Sequence, residues 1–192
     1  MELKIDPSKT ALVVIDLQKG IVGTPAAPRS SLEVVTRAAK LVAAMRSARG
    51  TVVLVRVTPS PDGKDALKPI TDNPATSSVG ASPPDWADIV PELGPEANDI
   101  LITKRQWGAF YGTELDLQLR RRGVDTIILC GISTNIGVES TARDAFERGY
   151  EQVFVEDAMA AREAEDHRHT VNTLFPRIGR VRSTEDVLAA LK

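Results

Sequence analysis

Cys130-Gly131-Ile132-Ser133-Thr134-Asn135-Ile136-Gly137-Val138-Glu139-Ser140-Thr141-Ala142 is the stretch on which the fold turns. An apolar run over 126–130 (TIILC) stops at a glycine, and a helical pattern begins a few residues later. A strand that feeds a turn and then a helix aims unpaired backbone N–H groups at one point in space. Such a point is suited to holding developing negative charge.

Similar apolar runs stand on either side of it. Residues 10–16 (TALVVID), 51–57 (TVVLVRV), 99–103 (DILIT), 152–155 (QVFV) and a short piece near 178–181 are continuous rather than alternating. That pattern indicates strands covered on both faces. Helical patterns lie between them. Ser30 and Glu33 form a capping box, Val35, Ala38, Ala39, Val42 and Met45 give an apolar face, and Gly50 is expected to end the helix. Further helices are predicted from Thr113 to Gly123, over 136–148, over 162–174 before Pro176, and from Ser183 to about Leu191. This alternation predicts an α/β fold, a three-layer α/β/α Rossmann-like arrangement around a mostly parallel six-stranded sheet. With 192 residues, the chain reads as one domain over 1–192.

The segment 58–98 breaks the rhythm. It holds eight of the twelve prolines and little periodicity, apart from a short helix predicted near 85–90. A loop this long in a compact domain is functional or disordered. It is read as a lid or a subunit-contact excursion.

The charge balance, 24 basic against 26 acidic residues with a net charge of −2, carries no nucleic-acid footprint. Arg120-Arg121-Arg122 fits the last turn of a helix, facing the negative end of its dipole. A lone cysteine allows no internal disulfide and fits a reducing compartment. Residues 1–10 have no apolar stretch of signal-peptide type, and no apolar run approaches the length of a membrane span. A cytoplasmic protein is expected. The two histidines, His167 and His169, lie in a charged helix and are expected to face solvent, so no metal site is expected. No cofactor is expected either. The Gly131–Gly137 turn lacks the Gly-Lys-Ser/Thr of a phosphate-binding loop.

In open parallel sheets, ligands bind beyond the carboxyl ends of the strands. Asp16 and Gln18 follow the first strand, Lys104 follows the DILIT strand, and the Ser133–Gly137 turn follows TIILC. An aspartate directly after an apolar run is costly to bury unpaired. It either pairs with Lys104 or makes a cap or loop bond. Gly137, early in a helix, leaves room for a ligand or permits a close helix–strand contact. Trp107, Phe110 and Tyr111 line an apolar pocket or pack under the long loop. Arg56 meets a substrate carboxylate or simply faces solvent. Cys130, inside a strand, reads as a core thiol.

Three elements in order then resemble one family: Val14-Ile15-Asp16-Leu17-Gln18; Lys104 followed by Trp107-Gly108-Ala109-Phe110 and Thr113-Glu114-Leu115; and Gly131 through Ala145, ending at Gly149-Tyr150. The chain resembles the isochorismatase-like hydrolase superfamily, which includes nicotinamidases, carbamoylsarcosine-type amidases and isochorismatases. The resemblance implies catalytic roles for Asp16 and Lys104. It implies a non-proline cis peptide at Ile132–Ser133 that turns the N–H of Ser133 toward that of Gly137, the two forming an oxyanion hole. Gln18, Arg56, Trp107, Phe110, Tyr111 and Asn135 form the candidate substrate-binding set. Cysteine hydrolases of the family carry their nucleophile where this chain has Gly137; isochorismatases also have glycine there. By that likeness Asp16 is a general acid acting on a vinyl ether or similarly labile C–O bond of a small, anionic metabolite. This requires burial to raise its pKa against the pull of Lys104. Thr134-Asn135 resembles the amidase-like branch, which leaves open an amide cleaved by activated water. A non-catalytic ligand-binding relative is the third alternative. The resemblance also implies a homo-oligomer, a dimer or larger.

Overall fold

The apolar runs become strands because most of their aliphatic side chains find cover in the sheet's two core layers. The computed structural model describes residues 3–72 and 83–191. The strands are β1 (Thr10–Ile15), β2 (Thr51–Val57), β3 (Ile100–Lys104), β4 (Thr126–Ile132), β5 (Glu151–Ala160) and β6 (Arg180–Arg182). They lie in the order β3-β2-β1-β4-β5-β6, and every neighbouring pair is parallel. All residues of β1 are buried. Ala11, Val13 and Ile15 point into one core layer, with Leu115 and Leu119 of α3 (Leu115–Arg121) and Ala142 and Ala145 of α4 (Glu139–Glu147). Leu12 and Val14 point into the other, against α2 (Ser31–Ser47) and Val187 of α7 (Thr184–Ala190). The layers are therefore α/β/α, as the alternation of patterns predicts. Among the described residues, no helix is long and apolar enough to cross a membrane.

The caps of α2 and α7 form as read: Ser30 with Glu33, and Ser183 with Asp186, each make a reciprocal capping box. The end of α2 differs from expectation. Arg49, not Gly50, takes the left-handed conformation, at φ 58°. Gly50 is required for space instead, since a Cβ there would lie 2.1 Å from the sulfur of Met45.

Two further elements depart from their predicted bounds. β5 does not stop at Val155 but runs on to Ala160. The sequence masks this because Glu156 and Asp157 interrupt the apolar run. Both charges are met by distant partners: Arg29 pairs with Glu156 at 3.1 Å, and the N–H and hydroxyl of Thr184 donate to Asp157 at 2.6 and 2.8 Å. The last long helix is not a single α-helix ending before Pro176. It consists of α5 (Ala164–His169), a π-helical turn (Thr170–Leu174) and α6 (Phe175–Ile178). The π turn resets the hydrogen-bond register, so Pro176 falls in the first turn of α6, where its missing N–H costs nothing.

Of the 58–98 excursion, residues 73–82 lie outside the described residues. The predicted helix near 85–90 is a turn followed by strand-like pairing with 17–20. Val90 N–H donates to Leu17 O at 3.1 Å, Lys19 N–H to Asp88 O at 2.9 Å, and Gly20 N–H to Trp86 O at 2.9 Å.

The strand order reverses between β1 and β4, so the crevice beyond their carboxyl ends is where such sheets bind ligands. Gly131 makes the approach there possible. It pairs with Ile15 at φ 124°, and a Cβ on it would stand 2.0 Å from the carbonyl oxygen of Ile15. That contact is backbone and cannot rotate away. Gly131→Ala should therefore cost about 3 kcal/mol or more, read as a lowered urea midpoint by circular dichroism.

Candidate active site

Asp16 leaves the end of β1 in the left-handed region, φ 55°, uncommon for a non-glycine residue. Its N–H donates to Val55 O at 2.9 Å, which fixes the backbone across β1 and β2. Lys104 closes β3. The two side chains meet: Lys104 Nζ is 2.7 Å from Asp16 Oδ2. Both are buried, Asp16 at 4% and Lys104 at 1% exposure. The ammonium also donates to Trp107 O at 2.5 Å. Asp16 Oδ1 is buried without a hydrogen-bond partner. Burial pushes the Asp16 carboxyl up to about 6, outweighing the Lys104 charge and hydrogen bond that pull it down.

The turn after β4 faces this pair. Thr134–Val138 forms a π-helical turn leading into α4. The Ser133 carbonyl accepts the N–H groups of Ile136 and Val138, at 3.2 and 3.1 Å. The hydroxyl of Thr141 donates to Gly137 O at 2.7 Å and accepts from Ala109 N–H at 3.1 Å, tying the turn to the segment after Lys104. The Ile132–Ser133 peptide is cis. A Cβ on Gly137 would lie 3.0 Å from Asp16 Oδ2 and 3.2 Å from Lys104 Nζ. Position 137 thus abuts the acid and the ammonium directly.

These groups line a hollow of ≈ 850 Å³ with Ser133, Trp107 and Trp86. Asp16, Lys104, Ser133, Gly137 and Trp107 are therefore brought together, while the other expected site residues are not part of its lining. Gln18 is fully buried and clamps backbone: its amide oxygen accepts Val57 N–H at 2.8 Å, and its nitrogen donates to Val57 O at 3.0 Å and Trp86 O at 3.3 Å. Arg56 donates to the Thr103 hydroxyl at 3.0 Å. Phe110 is a core residue, its ring 5.7 Å from that of Tyr150. Tyr111 is 76% exposed, away from the hollow. Asn135 keeps its side-chain oxygen buried and without a hydrogen-bond partner.

Most of the lining escaped sequence reading, Trp86 and Arg162 among it. Trp86 comes from the proline-rich segment and packs over Gly20, where any Cβ would stand 2.0 Å from the indole. The glycine just past the strand end was the available signal. Arg162 follows the hidden extension of β5.

Cys130 is buried, and burial pushes its thiol up to about 12, far from a thiolate. His167 does not face solvent as expected. It is buried, with Nδ1 2.8 Å from the Thr134 hydroxyl, and burial lowers its pKa to about 4. The face of α5 that packs on the π turn needs a polar partner there, and the local charge pattern does not reveal it. His169 is exposed. Among the described residues, no group of three or more His, Cys, Asp or Glu could hold a metal.

Known proteins resemble this chain in sequence and fold. A family model for the Isochorismatase domain matches residues 10–186. The chain is 56% identical over 190 residues to the isochorismatase family protein YwoC of Bacillus subtilis, covering 99% of this chain and 98% of that one. It is 33% identical over 181 residues to the ureidoacrylate amidohydrolase RutB of Methylobacterium radiotolerans, covering 81% and 69%. The structure of an isochorismatase family protein from Burkholderia thailandensis superposes with a TM-score of 0.93 at 44% identity, covering 100% of this chain and 99% of that one. With the family model spanning nearly the whole sheet and its helices, the chain belongs to the isochorismatase family of hydrolases.

Proposed function

We propose that the chain hydrolyses a vinyl ether, or a similarly labile C–O bond, in a small metabolite by general acid catalysis from Asp16, without a covalent enzyme intermediate. One observation carries this reading: the position abutting both Asp16 and Lys104 is Gly137, which offers no nucleophile, while Asp16 itself is buried with a carboxyl raised to about 6. A carboxylic acid with that pKa is proton-loaded enough to act near neutrality.

The steps balance. Lys104 occupies Oδ2, so the proton resides on the unpartnered Oδ1. Asp16 delivers it to the terminal enol-ether carbon, and positive charge develops on the adjacent carbon–oxygen unit. Water adds to that carbon and returns a proton to the Asp16 carboxylate. The hemiketal then collapses to a ketone and an alcohol. Lys104 stabilises the carboxylate left after proton delivery. In this reading the N–H groups of Ser133 and Gly137, two residues that line the hollow, hold substrate oxygen.

A second reading keeps the hollow and changes the bond to an amide, attacked by water that Asp16 activates. The name of the amidohydrolase relative favours it. Isochorismate offered beside nicotinamide and ureido acids separates the two: pyruvate release supports C–O cleavage, and ammonia release supports the amidase.

Asp16→Asn should lower kcat/KM by about 10²–10⁴-fold with the circular dichroism spectrum unchanged; retention of most activity would reject the role. Since the working form is the protonated acid, kcat/KM should be level below about pH 6 and fall about tenfold per unit above it. Lys104→Met leaves a buried carboxylate without its counter-charge, a loss of about 3–5 kcal/mol at neutral pH. Because the folded-state pKa of Asp16 lies above its unfolded value of 3.8, the folded protein takes up a proton between the two. Wild type and variant should both lose stability as pH rises from 3.8 to about 6; without the pull of Lys104 the variant's carboxyl is raised further, so its stability keeps falling above about pH 6 where wild type levels off, seen as urea midpoints that diverge there.

A further inference from the structure

We infer that Arg162 is the anchor for a substrate carboxylate, making the hollow selective for small carboxylic acids with an apolar body. The inference rests on the reading above in taking the hollow as the place where substrate binds and, for its charge balance alone, in taking Asp16 as protonated.

Arg162 lines the hollow at the bend between β5 and α5. Its backbone is fixed from the preceding residue: Ala161 exchanges hydrogen bonds with Ala27, N–H to O at 2.9 and 2.8 Å. Its side chain is exposed and makes no hydrogen bond or ion pair among the described residues. Lys104, the other cation lining the hollow, is already held by Asp16 and Trp107 O. Arg56, the arginine that the sequence offers for this task, is turned to Thr103. A guanidinium fork pairs with a carboxylate through two parallel hydrogen bonds, more specifically than an ammonium does.

The charge balance agrees. Among the described residues, the ionisable groups lining the hollow are Asp16, Lys104, Arg162 and Glu163. They cancel while Asp16 is ionised. Protonating Asp16, as the proposed chemistry requires, leaves one positive charge in excess, which matches a monoanion. The remaining wall is largely apolar, including Ile21, Val57, Ile132 and Ile136 with the two tryptophans, and would cover a hydrocarbon or ring body.

Benzoate and benzamide, alike in shape and different in charge, test this without turnover. Ligand-observed NMR titrations on wild type should show benzoate binding about tenfold or more tightly than benzamide. Arg162→Gln should abolish that preference with an unchanged melting temperature, and Arg162→Lys should keep part of it. Equal affinity of the pair for wild type, no saturable binding of either, or a preference that survives Arg162→Gln would overturn the assignment. A protein that shows the preference yet cleaves no vinyl ether keeps the anchor and loses the chemistry. One that cleaves it with KM unaffected by Arg162→Gln keeps the chemistry and loses the anchor.

Discussion

The buried contact between Asp16 and Lys104 organises this end of the molecule. Taking two charges out of water is costly, and their attraction offsets that cost only when the geometry is close. The sheet supplies it. β1 is followed directly by a residue in the left-handed region, and β3, with β2 between them, ends in a lysine whose side chain meets it at 2.7 Å. One carboxyl oxygen is satisfied and the other is not. In the proposed mechanism, that asymmetry lets the pair donate a proton as well as form a salt bridge.

The surrounding shell exists to keep the pair dry and the turn after β4 in place. Gln18 gives up both ends of its amide to backbone and holds the proline-rich segment down, so Trp86 closes one side. Thr141 joins the turn to the segment after β3. His167 holds Thr134 from behind. The π-helical turn at Thr134–Val138 faces a second one at Thr170–Leu174, and the Thr170 hydroxyl donates to Glu139 at 2.7 Å between them.

The layers and the core were legible because burial on both faces leaves a direct trace: uninterrupted β-branched and aliphatic runs. Asp16, Lys104 and Gly137 were legible because strand ends in such a sheet point to one crevice. The rest depends on partners distant in sequence. Glu156 and Asp157 look like a strand end until Arg29 and Thr184 are seen to satisfy them. That error hid Arg162. Gln18 and Arg56 have the chemistry of ligand contacts and spend it on the protein's own backbone and on Thr103. Phe110 and Tyr111 are adjacent in sequence and fall on opposite sides of the surface, one in the core and one in solvent.

The fit around Gly137 gives sequence change at this position a direction. Removing a side chain from such a slot demands nothing of its neighbours. Restoring one requires Asp16, Lys104 and Ile15 to retreat by a few tenths of an ångström, because at 3.0–3.2 Å they already occupy the room it would need. Those neighbours are the buried acid, its counter-ion and the last residue of the central strand, and the first two line the crevice. The glycine therefore sets the shape of the crevice at this point: a larger residue introduced there by that one change alone would press directly on the buried ion pair.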